Sequence, residues 1–226
     1  MNNKFLVGGI IVVVLIGLFV FVNNDKAEVM VDNNDQKTQE TKEVVKTNVV
    51  NGHEEINHHL KEAQVTRESN SLTADFTSLG VMPLLGESGA VGYGVITDKG
   101  TDQVIVSTTH AGVLDSETQK DASDPVWHNH IVRLGEVALC GENPGVIDIT
   151  FESPGDVTVK ERGLVVAKVP ASFSGTHSLT SQKISFAPGT DVKGVVQFNL
   201  EPKFNAENEL QAVCVTHIEE IDFDVL

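Results

Sequence analysis

Apolar residues follow three different patterns along this chain. From Phe5 to Val22 they run through FLVGGIIVVVLIGLFVFV, 18 residues without a charge. At about 1.5 Å per helical residue that run spans roughly 27 Å, close to the hydrocarbon thickness of a bilayer. It predicts a transmembrane helix. A cleaved signal would carry a shorter apolar core and a small-x-small cleavage site, whereas Asn23-Asn24-Asp25-Lys26 follows here. Lys4 and the amino terminus place positive charge before the segment and acidic sequence after it, which predicts a cytoplasmic N-terminus, residues 1–4, and an extracytoplasmic remainder.

From Asn23 to Asn70 the sequence is polar, without aromatics and without a sustained apolar period. This composition predicts a tether over 23–70. Ile56, Leu60 and Ala63 fall at helical spacing, so part of Glu54 to Arg67 is expected to form a short helix. His53, His58 and His59 are expected to be solvent-exposed there.

After Ser71 the pattern becomes short β-branched runs separated by Gly, Pro, Asn and Asp. The runs Ala90–Ile96, Gln103–His110, Trp127–Leu134, Val146–Phe151, Val157–Lys160, Leu164–Val169, Lys183–Phe186, Gly194–Leu200 and Leu210–Glu219 read as strands, and no long helix interrupts them. Lys160-Glu161-Arg162-Gly163-Leu164 reads as a hairpin. Residues 71–226 are therefore expected to be one all-β domain, an antiparallel sandwich or barrel; of the two, a β-sandwich of about eight to nine short strands is the expectation.

Charge narrows the partners. The chain carries a formal net charge of −16, and residues 71–226 hold nine bases against 22 acids, a net −13. Such a surface repels phosphate backbones, and no basic stripe with interleaved aromatics offsets it, so a nucleic-acid partner is not expected. The expected partners are the membrane, through the N-terminal helix, and an envelope or surface protein. Cys140 and Cys214 are the chain's two cysteines, and an oxidising exterior favours one disulfide between them.

The densest chemistry lies at His110 and Trp127-His128-Asn129-His130. Strand alternation places His128, His130, Val132, Leu134 and Glu136 on one face, and Val104, Val106, Thr108 and His110 on one face of the preceding strand. Two histidines as H-x-H plus a third make a workable transition-metal site, zinc or copper, with Glu136 or Asp115 as an additional oxygen ligand and an open position. The HNH letters carry no nuclease reading, because the ββα element and phosphate contacts of that family are missing. Cys214-Val-Thr-His217 does not suit blue copper, since residues three apart on a strand face opposite ways and no axial Met follows. No serine–histidine–aspartate set is singled out by spacing. The sequence thus leads to a membrane-anchored, single-pass, extracytoplasmic interaction module of the cell envelope, with a metal-binding protein or metalloenzyme using His110, His128 and His130 as the alternative.

Overall fold

The computed structural model describes residues 44–48, 59–82 and 89–221, all within one of the chain's two compact units, residues 39–226. The expected spanning segment, 5–22, and the first part of the tether lie outside the described residues. The protein is all-β, with thirteen strands among the described residues. Strands β1 (Val44–Asn48), β2 (Leu60–Glu68) and β3 (Ser71–Ser78) join β8 (Asp156–Lys160) and β9 (Gly163–Pro170) in an antiparallel sheet of order β1-β2-β3-β9-β8. Strands β4 (Val91–Thr97), β5 (Val104–Thr109), β6 (His128–Glu136), β7 (Pro144–Ile149), β12 (Val192–Phe204) and β13 (Leu210–Ile221) close into a barrel of order β12-β13-β7-β6-β5-β4. A small hairpin, β10 (Phe173–Thr176) with β11 (Lys183–Phe186), completes the architecture.

The closed barrel corrects the sandwich expectation. Strands β12 and β13 form one long hairpin with register shifts at Gln197/Asn199 and Lys203/Phe204. Bulges bend a strand and increase its twist, which is how a sheet curls far enough to meet its own other edge. Along one side β12 pairs with β4 over Val192 to Asn199. The other seam is thin: β13 meets β7 at the single pair Cys214↔Gly145. The Cys140–Cys214 disulfide sits at that seam and joins residues 74 apart in sequence.

Two apolar cores follow from the alternation of the barrel strands. Inside lie Val104, Val106, Val132, Val196, Phe198 and Val215. Outside, Tyr93, Val95, Ile105, Ile131 and Val195 of the barrel pack against Leu72, Phe76, Leu164 and Val166 of the five-stranded sheet. Phe76, Tyr93 and Trp127 stack in sequence, with ring centroids 5.1 and 5.8 Å apart. Strand β5 is buried at all six positions because it has the lumen on one face and the sheet on the other.

Residues 60–68, read from the sequence as polar tether with a short helix, are strand β2. A register shift between Leu60 and Glu62 breaks its alternation, so the buried positions run Leu60, Ala63, Val65, which mimics helical spacing at its start. His59 is buried, against the expectation of an exposed tether histidine. The β8–β9 hairpin stands as expected, with Lys160 paired to Gly163. Gly163 is needed there for close approach: a Cβ would stand 2.6 Å from the carbonyl oxygen of Phe76.

Gly92 serves the lumen in the same way. A Cβ at this position would meet Phe198 Cζ at 2.6 Å and the Ser107 carbonyl oxygen at 2.7 Å. The Phe198 ring can yield, but the carbonyl belongs to the paired strand β5. Gly92→Val is therefore expected to cost about 1–3 kcal/mol or more, measured as a lower urea midpoint. An unchanged midpoint would show that the lumen has slack at this level.

Candidate metal centre

Strand register brings the histidines together. Thr108 pairs with His128 and Val106 with His130, so the inward faces of β5 and β6 coincide. His110 follows the last residue of β5 and closes on the same place. All three are buried: His110 is 6% exposed, His128 and His130 0%. Their rings meet edge to face, His110 to His128 at 4.9 Å and His128 to His130 at 4.8 Å between centroids.

Asp115 enters this cluster from the loop between β5 and β6. Its carboxylate lies 3.2 Å from His110 Nε2, 3.3 Å from His128 Nε2 and 3.7 Å from His130 Nε2. His110, Asp115 and His128 each offer a ligand atom within 4.8 Å of the other two, and His130 reaches the group through the carboxylate. In a tetrahedral zinc site with bonds of about 2.0–2.1 Å, ligand atoms stand about 3.3 Å apart. The carboxylate–imidazole separations are close to that spacing.

The hydrogen bonds determine which nitrogens face inward as lone pairs. His128 Nδ1 donates to the Val126 carbonyl at 2.7 Å and His130 Nδ1 to the Thr150 carbonyl at 2.7 Å. A carbonyl can only accept, so each Nδ1 carries a proton, and in the neutral imidazole Nε2 is then a bare acceptor. These two Nε2 atoms and Asp115 Oδ1 are buried with no hydrogen-bond partner. Acceptors therefore face a carboxylate, an arrangement that a cation between them would satisfy. Backbone carbonyls holding the far ring nitrogen are the usual support of metal-bound histidine.

Three residues without a motif hold the centre in shape. The Gln119 amide oxygen accepts from Asp115 N at 3.0 Å and Ser116 N at 3.2 Å, while its Nε2 donates to the carbonyls of Val113 and Asp124. The Ser178 hydroxyl donates to the Asp115 carbonyl at 2.8 Å. Thr150 supplies the carbonyl under His130 and a hydroxyl that accepts from Ile131 N. Nothing in the residue type or spacing of Gln119, Ser178 or Thr150 marks them in the sequence.

Glu136, expected as an oxygen ligand, is exposed at the far end of β6. Eight residues of strand separate it from His128, roughly 26 Å. It takes no part in the cluster, and Asp115 occupies the place the sequence reading offered to either carboxylate. Cys214 is in the disulfide and unavailable as a ligand beside His217.

Burial is the largest influence on His130 and, over the opposing pull of the Asp115 charge, pushes its imidazole down to about 4 from the usual 6.5. Burial by itself raises the Asp115 carboxyl; hydrogen bonds from His110 and His128 and the charge of His130, which act only when those imidazoles are protonated, then outweigh it and hold the carboxyl well below the usual carboxylate range. A histidine with a folded value below its unfolded one binds fewer protons in the native state, so stability rises with pH between the two values. In metal-stripped protein His130 contributes stability that is complete above pH 6.5 and is lost as pH falls towards 4, on the order of 3 kcal/mol at 1.36 kcal/mol per unit. Urea midpoints taken from pH 7 to pH 4 should fall, and His130→Gln should flatten that slope. An equal slope in both proteins would assign it elsewhere.

Fold and site together define an all-β barrel protein with a buried histidine–aspartate group able to hold a metal ion. No protein-family model, curated protein or solved structure matches the chain.

Proposed function

We propose that this chain is a transition-metal-binding barrel protein that holds one divalent ion, zinc before copper, through His110, His128, His130 and Asp115. The observation that carries this reading is the set of buried acceptors, His128 Nε2, His130 Nε2 and Asp115 Oδ1, facing one another with no donor between them. Buried polar atoms without partners are rare in native proteins and costly, so a cluster of them calls for a ligand. Three imidazoles and one carboxylate suit zinc in tetrahedral geometry. The ion's structural value would be considerable, since it would tie β5, β6 and the 110–127 loop at one end of the barrel.

Membrane anchoring through residues 5–22 and an extracytoplasmic location belong to the same proposal, and the Cys140–Cys214 disulfide supports an oxidising compartment. Full-length chain purified without a histidine tag and stripped with chelator should take up one equivalent of zinc and melt at a higher temperature when loaded. Binding of neither zinc nor copper would overturn the reading.

A further inference from the structure

The barrel is not filled by its own side chains. A cavity of about 190 Å³ occupies the lumen, with walls from all six barrel strands, among them Val106, Val132, Ile149, Val196, Phe198 and Val215. At one place this apolar wall is interrupted by His110, Asp115 and His130. The lining also includes Ile147 and Leu179, which are 46% and 62% exposed, so the cavity reaches the surface. An apolar cavity of about 150 Å³ is known to stay dry and to accept a benzene-sized molecule. Apolar walls ending on a few convergent polar groups are the usual form of a small-ligand site.

We infer that the lumen binds a small carboxylate with a short apolar tail, the tail packed against Val106, Val196 and Phe198 and the oxygen atoms directed to the ion held by His110, His128, His130 and Asp115. This rests on the metal reading. Zinc accepts a fifth ligand, so an incoming oxygen need not displace a side chain. The ion supplies the positive charge that an anionic head requires in a wall that is mostly apolar and holds no lysine or arginine. Longer tails should bind better until the lumen is full, because each buried methylene multiplies affinity by about fourfold.

Cobalt(II) loaded into the full chain provides the test, because its visible absorption changes when a ligand joins the ion. Titration with acetate and with hexanoate should show hexanoate binding on the order of 100-fold tighter, since it adds four methylenes. Val196→Phe, which fills the lumen, should load cobalt equally and bring hexanoate down to the level of acetate. If that variant fails to load cobalt, Phe198→Ala replaces it: the enlarged lumen should shift the preference from hexanoate towards octanoate. Equal affinity for acetate and hexanoate, or a chain-length preference untouched by the lumen variant, would overturn the ligand inference while leaving the metal reading intact. Failure of the unsubstituted chain to load cobalt or zinc would overturn the metal reading itself.

Discussion

Replacing Asp115 by asparagine is expected to stabilise the metal-stripped protein and at the same time to remove most of its zinc affinity. The two effects have one cause. In the native site the carboxylate can only accept, and it faces His128 Nε2 at 3.3 Å and His130 Nε2 at 3.7 Å, which have no other partner. An asparagine amide would place two donors there, and one new buried hydrogen bond is worth about 1 kcal/mol. The same change deletes the anionic ligand. Losing a supporting hydrogen bond costs a metal site roughly 10–100-fold, and loss of a ligand should exceed that. Zinc titration and urea unfolding in chelator, both at pH 8 where His130 is neutral, read the two quantities separately. His128→Ala should likewise remove stoichiometric zinc, and Gln119→Ala should weaken it by about 10–100-fold, because Gln119 fixes the backbone that carries Asp115. Were the cluster instead a structural ion pair, with an imidazolium donating to the carboxylate, Asp115→Asn would destabilise the stripped protein. That outcome would sink the metal reading.

Removal of the disulfide by Cys140→Ser with Cys214→Ser should lower stability by about 4 kcal/mol and the melting temperature by about 10 °C. The first figure is the chain entropy returned to the unfolded state by opening a loop of 74 residues. The barrel adds a local effect. Strands β7 and β13 share only the pair Cys214↔Gly145, and the disulfide stands at that pair. Hydrogen exchange should therefore rise first in β7 and the middle of β13, ahead of β4–β5, where five residue pairs hold the ladder from Val91 to Val95. Uniform acceleration across the barrel would show that the seam does not depend on the bond.

Legibility differed between elements for identifiable reasons. Lys183–Phe186 appears with its expected bounds and the other eight expected strands with shifted ends, because each alternates or clusters β-branched residues between turn formers. Leu72, Ala74, Phe76 and Ser78 alternate just as cleanly in β3, yet with Ser, Thr and Asp between them that run is missing from the expected strands of the 71–226 domain. Strand β2 was obscured by its bulge. At the site, the period of two put His128 and His130 on one face with Val132, and His110 in line with Val104 and Val106, which is the face that lines the lumen. Glu136 shares that face by the same period, but a strand that keeps side chains on one face also moves them about 6.6 Å apart every second residue, which takes Glu136 away from the cluster.

Sequence by itself determined the all-β character of the domain, the shared face of the histidines and the cysteine pair, because each depends on local alternation or on simple counting. The tertiary structure alone decided that the sheet closes into a barrel, that β2 and β3 cover its outer face, and that Asp115 is the carboxylate meeting the imidazoles. Those outcomes depend on register between strands distant in sequence and on a loop folded around Gln119, and neither leaves a period in the chain.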